Sequence, residues 1–283
     1  MKFSLSTGTL YPYPLRNVFG WAQAAGFDGV ELVVNPEAIL RGGQRTRRLA
    51  AELGIEILSV HPTLVPLPGW RERHGGFGPT VRWAQEAGVG LVVFHIPRLE
   101  RLEEGEGLEY TQKIESWQAR LSGTATRLAL ENKAVRTEAE WRYALSPLDR
   151  LRAFADRHEL GLVLDTVHAG TSGEDLLEAW RTFEGRLVNV HVSDHGGHLP
   201  LGSNPFVQRA LGEHRFPGAG TLPLAELLAN LSSTGYEGPV TLEVNPVAMR
   251  FWWPPAVRRR LSRALTWMAQ ATRDPAPGGR TLP

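Results

Sequence analysis

The sequence predicts a single-domain (β/α)₈ barrel, and three observations carry that prediction. Short apolar runs alternate eight times with longer stretches of helical period. The runs are continuously apolar, as strands covered on both faces are, rather than alternating. The 283 residues show no composition break that would mark a second domain. A doubly wound open sheet is the competing arrangement, but the first unit has no G-x-G-x-x-G or Walker loop.

Taken in order, Phe3–Thr7 is the first strand and Arg16–Ala25 its helix, closed by Gly26. Gly29–Val33 follows, then one helix over Pro36–Leu53, with a proline suited to the first turn. Glu56–Val60 and helix Pro79–Ala87 flank a long loop, His61–Gly78. Leu91–His95 leads to helix Leu108–Ser122, and Arg127–Glu131 to helix Pro147–His158. Leu162–Asp165 precedes helix Glu174–Phe183. Leu187–Val192 is followed by a second long loop, Ser193–Leu222, and helix Pro223–Thr234. Val240–Val244 and helix Pro255–Ala271 complete the set. Glycines 54, 88, 161, 185 and 235 also lie near helix ends, where a left-handed cap is favoured. The barrel is assigned to residues 1–272, and the Pro/Gly-rich 273–283 to a loose tail.

Composition narrows the chemistry. Apolar residues at 42% and charged residues at 22% fit a globular protein, and a net charge of +1 sets up no strong field towards nucleic acid or an anionic membrane. With no cysteine, thiolate zinc sites, iron–sulfur clusters, disulfides and cysteine nucleophiles are excluded, so a metal has to be held by His, Asp and Glu. The start lacks a long apolar stretch and no run reaches transmembrane length, so a cytoplasmic location is the expectation.

Catalytic groups in such a barrel sit at the C-terminal ends of the strands, which open on one face. Those ends read His61, His95, Glu131, Asp165 with His168, His191 with Asp194, and Glu243. Each has a structural explanation alone: His61 precedes a proline, Asp165 can cap a turn, and His191 can be a satisfied core histidine. Together they do not, because three carboxylates in one barrel mouth repel one another without a cation between them. Glu131, Asp165, His191 and Glu243 offer three oxygens and one imidazole nitrogen, a set suited to Mn²⁺, Zn²⁺, Co²⁺ or, less comfortably, Mg²⁺.

The runs GFDGVEL (26–32), LALEN (128–132), LDTVH (164–168), VHVSD (190–194), PGAGTLP (217–223) and GYEGPVTLEV (235–244) resemble the xylose isomerase-like barrel superfamily, most closely its sugar phosphate isomerase/epimerase branch. The resemblance covers essentially residues 1–272. It implies a divalent metal on Glu131, Asp165, His191 and Glu243, with His168 and Arg215 contacting substrate. It also implies proton transfer next to a carbonyl through a metal-stabilised enediolate, with Glu131 and Glu243 as the catalytic carboxylates. The implied partner is a small sugar or related hydroxy-carbonyl compound, with neither nucleic acid nor membrane; a homo-oligomer is compatible with the sequence. The same superfamily contains endonuclease IV, a zinc-dependent apurinic-site nuclease, and it gives the alternative function. In that pattern His61 and His95 complete a second metal site. Its Asp-x-His pair is incomplete here, with Gly212 two before His214, although Asp194, His195 or His198 could substitute.

Other features are weaker. Arg41, Arg45 and Arg48 share one face of a helix and read as solvated, as does Arg258–Arg260. Gly75–Gly78 leads into a helix N-terminus without the lysine of a phosphate loop. Trp70 is assigned to an apolar wall beside substrate, with His61 and His95 as further substrate contacts. Trp252 and Trp253 fit either that wall or packing between helices.

Overall fold

The computed structural model describes residues 1–64, 67, 70, 77–196 and 212–273. Eight parallel strands close into a barrel in sequence order: β1 (Lys2–Ser6), β2 (Gly29–Val33), β3 (Glu56–His61), β4 (Leu91–His95), β5 (Arg127–Glu131), β6 (Gly161–Asp165), β7 (Leu187–Val192) and β8 (Pro239–Leu242). Closure comes from β1 pairing with β8, Lys2 opposite Pro239 and Leu5 opposite Leu242. The outer helices are α1 (Leu15–Ala25), α2 (Pro36–Arg41), α3 (Gly43–Glu52), α4 (Phe77–Ala87), α5 (Gly105–Leu121), α6 (Leu148–Arg157), α7 (Thr166–Thr171), α8 (Leu176–Phe183), α9 (Leu224–Ser233) and α10 (Pro254–Ala271).

Burial on both faces explains the apolar runs. Outward-facing Leu128, Leu130, Leu162 and Leu164 join the main core under the helices. The alternate residues Val93, Ala129 and Val163 form, with Leu91, a separate small cluster inside the barrel.

The structure revises the sequence expectations in three places. Pro36–Leu53 is two helices, because Gly42 takes φ 73° and turns the chain between them. A short helix not expected from the sequence, α7, starts directly at the end of β6 and carries His168. Gly161 is not a helix cap: it opens β6, whereas Gly26, Gly54, Gly88, Gly185 and Gly235 all have positive φ.

Two register shifts shape the lumen. Between β2 and β3, Val30 pairs with Ile57 but Glu31 pairs with Ser59, so Leu58 is an extra residue. Between β6 and β7, Leu162 pairs with Leu187 but Val163 pairs with Asn189, making Val188 extra. Each extra side chain leans over a glycine. A Cβ on Gly29 would come within 2.5 Å of Leu58, and one on Gly161 within 2.6 Å of Val188.

Among the described residues, no helix is long and apolar enough to cross a membrane. Arg41, Arg45 and Arg48 are exposed. Arg258 and Arg259 are exposed too but lie over the rings of Trp21 and Trp253, while half-buried Arg260 lies over Phe216. Gly75 and Gly76, His198 and the tail from residue 274 lie outside the described residues.

Candidate functional site

The strand ends bring Glu131, Asp165 and His191 together, with Glu243 one residue beyond β8. One donor atom from each of the four lies within 4.8 Å of the others. Glu131, Asp165 and His191 are buried, and the Glu243 side chain is 23% exposed. The Asn132 side chain holds β5 to β6, accepting from the Asp165 amide at 2.7 Å and donating to the Asp165 carbonyl at 3.2 Å.

Asp165 does two things at once. Its Oδ1 caps α7 by accepting from the His168 amide at 2.7 Å. Its Oδ2 is buried without a hydrogen-bond partner, as are Glu131 Oε2 and His191 Nδ1. Leaving a buried polar atom unsatisfied costs about 1–3 kcal/mol. Three such atoms at one place, beside Glu243 Oε2 at 2.8 Å from His191 Nδ1, fit the inner ligands of a divalent cation.

The charges of the metal-free cluster agree. Burial opposes ionisation of Glu131, but His95, His191 and a hydrogen bond from His168 hold its carboxyl well below the usual range. Burial likewise opposes ionisation of Glu243, yet His191 brings it down to about 2. His191 would be lowered by burial, but Glu31, Glu131 and Glu243 carry it well above its ordinary value. Burial disfavours a charged His168 as well; Asp165 and Glu131 outweigh it and raise the group to about 9. The imidazoles thus supply the positive charge that an ion would supply instead.

A second group abuts the first. His95 Nε2 is 3.2 Å from Glu131 Oε1, and His61 Nε2 is 3.7 Å from Glu131 Oε2. His61 Nδ1 is 2.9 Å from the Pro62 carbonyl, so it carries the proton and Nε2 faces the cluster. Burial first and His95 second depress its pKa. A third group joins Asp165, His168 and His214. Among the described residues, Asp165 is the carboxylate grouped with these two histidines, and Glu131 Oε1 lies 3.3 Å from His168 Nδ1. Glu213 is held by Arg136 in a two-bond fork at 2.7 and 3.0 Å, and Gly212 offers no ligand.

Asp194, a candidate ligand by position, is engaged elsewhere. Its two oxygens accept from the backbone amides of His195, Gly218, Gly220 and Leu222 at 2.8–3.1 Å. It organises the loop around Pro217–Pro223 instead of facing the cluster. Arg215 pairs with Asp194 through backbone hydrogen bonds in both directions. Trp70 packs half-buried against the core, and Trp252 and Trp253 are exposed.

Glu31 escaped the sequence reading. It sits in mid-strand with no exposure, its Oε2 accepting from Ser59 Oγ at 2.7 Å and Asn189 Nδ2 at 3.0 Å. His191 Nε2 lies 3.1 Å from each of its oxygens. The available signal was a lone charged residue within an otherwise apolar run, Gly29–Val33.

Comparison with known proteins agrees with this architecture. A family pattern described as a xylose isomerase-like TIM barrel matches residues 19–270. An uncharacterised protein of Mycobacterium tuberculosis is 29% identical over 273 residues, covering 88% of this chain and 91% of its own length. The 3-dehydroshikimate dehydratase of Pseudomonas aeruginosa is 29% identical over 230 residues, which are 78% of this chain but only 34% of that enzyme. The solved structure of 3-keto-D-glucoside 4-epimerase from E. coli covers 95% of this chain and 99% of its own, with a TM-score of 0.68 at 16% identity. The match over most of its length shows that the chain belongs to the xylose isomerase-like TIM barrel family.

Proposed function

We propose that the protein is a divalent-metal-dependent isomerase or epimerase of a sugar, sugar phosphate or related hydroxy-carbonyl compound, working by proton transfer next to a carbonyl. The observation that carries this reading is the set of orphaned atoms, Glu131 Oε2, Asp165 Oδ2 and His191 Nδ1, gathered beside Glu243. The substrates named for two similar proteins, 3-dehydroshikimate and a 3-keto-glucoside, each carry a carbonyl among hydroxyls. A cation held there supplies positive charge to adjacent substrate oxygens as negative charge develops on them.

The chain's own residues do the rest. Glu131 and Glu243 bracket the cluster from β5 and from just beyond β8, non-neighbouring staves of the barrel. Both are held ionised, so either can accept the proton on the carbon next to the carbonyl. Return of the proton to the neighbouring carbon, with the hydroxyl proton passed to the former carbonyl oxygen, gives an isomer; return to the same carbon from the opposite face, by the opposite glutamate, gives an epimer. His168, charged and 3.3 Å from Glu131 Oε1, is placed to steady that carboxylate and to donate to a substrate oxygen. His61, His95, Arg215 and Trp70 complete the substrate contacts in this reading.

Incubation of the Mn²⁺- or Co²⁺-loaded protein with a panel of ketoses and aldoses in D₂O tests the proposal. Deuterium is expected at the carbon next to the carbonyl, and Glu131→Gln and Glu243→Gln should each slow its entry by about 10²–10⁴. Full turnover by both variants would overturn the scheme. A second reading, a zinc apurinic-site phosphodiesterase, is favoured by the grouping of His61 and His95 on Glu131 and of His168 and His214 on Asp165. Three bound zinc ions and cleavage of abasic DNA would establish it; one or two ions and no cleavage favour the isomerase.

A further inference from the structure

We infer that Glu31 is a positioning residue that fixes the tautomer and aim of His191, so that Nδ1 is presented to the cation site. The inference rests on the metal reading above and concerns a residue that lies below the ligand cluster.

Glu31 is on β2 and His191 on β7, with β1 and β8 between them, so their contact crosses the lumen. A carboxylate fully buried in mid-strand is expensive unless it is paired and hydrogen-bonded. Here Ser59 and Asn189 donate to Oε2 and His191 Nε2 sits 3.1 Å from both oxygens, the only neighbour that Oε1 has for a partner among the described residues. The Asn189 amide is itself oriented, because its Oδ1 accepts from Thr241 Oγ1 at 2.9 Å, which turns Nδ2 towards Glu31. Nε2 lies 3.1 Å from both carboxylate oxygens and 3.2 Å from Asn189 Nδ2. The charge-assisted bond to Glu31, to which Nδ2 itself donates at 3.0 Å, outweighs a bond from the neutral amide and makes Nε2 an N–H donor. Nδ1 is the nitrogen turned to Glu131, Asp165 and Glu243, 2.8 Å from Glu243 Oε2; it is protonated while the site holds no ion and gives up that proton to offer its lone pair when a cation binds.

Both lumen bulges serve this arrangement. The extra residue Leu58 sets Ser59 opposite Glu31, and the extra Val188 sets Asn189 opposite Val163 and His191 opposite Asp165. A metal-ligating imidazole backed by a carboxylate through its other nitrogen has a fixed ring plane and a more basic ligand atom. The sequence Thr241–Asn189–Glu31–His191 builds that support from four strands' worth of lumen contacts, with Ser59 contributing the fourth strand.

The test is Co²⁺ binding by the metal-free full-length chain, followed by calorimetry and by the visible spectrum of the bound ion. Glu31→Gln should weaken binding by about 10–100-fold and shift the Co²⁺ bands. Ser59→Ala, which leaves the ligands and the Glu31 charge in place, should weaken it by roughly fivefold, the worth of one hydrogen bond. Wild-type affinity and spectrum in a folded Glu31→Gln protein would overturn the inference; should that variant not fold, wild-type binding by Ser59→Ala would do so. If the unaltered protein takes up no Co²⁺, the metal reading itself fails, an outcome distinct from variants that bind as well as wild type.

Discussion

His168 shows how one side chain links burial, charge and stability. In the metal-free protein its pKa is raised to about 9, against an ordinary value of 6.5. A raised pKa means that the folded state holds the proton more tightly. The stabilisation is complete below about pH 6.5 and is lost as pH rises through about 9. The melting temperature of the chelator-treated protein should therefore fall between pH 7 and 9.5, and His168→Gln should flatten that fall. Calorimetric melts across this range check it, and an equally steep fall in the variant would contradict the assignment. The strand-end residues were legible because their place in the chain marks them: each stands at or beside the end of an apolar run. Glu31 was not, since nothing local tells a buried carboxylate aimed across a lumen from one tolerated in a sheet. Asp194 misled for the opposite reason. It stands where a ligand would stand, but the amides of Gly218, Gly220 and Leu222 that occupy it come from more than twenty residues away.

At the scale of elements, β3 and β7 are the strands whose irregularity aims side chains. Their apolar runs look like any others, so neither extra residue was readable, although the facing glycines were visible as letters. Gly161→Ala would push a Cβ to 2.6 Å from Val188 and 3.3 Å from Ala129. Overpacking of this kind should cost about 1–3 kcal/mol and displace the bulge that places Asn189. Gly20→Ala in α1, where nothing lies within 4 Å, should instead stabilise by up to about 1 kcal/mol. Urea unfolding of the two variants measures both, and equal effects would remove the bulge from the account. The α2–α3 break was hidden in the sequence for a related reason: Gly42–Gly43 lies inside a continuous helical period, and the turn exists because Gly43 packs against Trp83 and Ala87 of α4, where a Cβ would lie within 2.7 Å of either backbone.

The whole barrel was legible because its signal is repetition: eight apolar runs and eight helical stretches leave few ways to cover both faces of a sheet. The convergence at its mouth carries a consequence for stability. Without an ion, buried carboxylates and imidazoles must balance one another's charge; a bound divalent ion favours the folded chain alone. At a concentration one hundred times its dissociation constant, Mn²⁺ or Co²⁺ should add about 2.7 kcal/mol, raise the melting temperature by several degrees, and lose that effect on chelation. A melting curve indifferent to both treatments would mean that the mouth binds no ion. Finally, the excursion after β7 leaves and rejoins the barrel through adjacent points: Gly196 donates to Gly212, Asp194 and Arg215 exchange backbone hydrogen bonds, and the Asp194 carboxylate grips the turn beyond. The contacts that buckle Gly196 to Gly212 and Asp194 to Arg215 do not include the His191 side chain. Each doubling of the number of residues between two points so fastened costs only about 0.6 kcal/mol of closure entropy, so the chain can change length there without retuning that ligand.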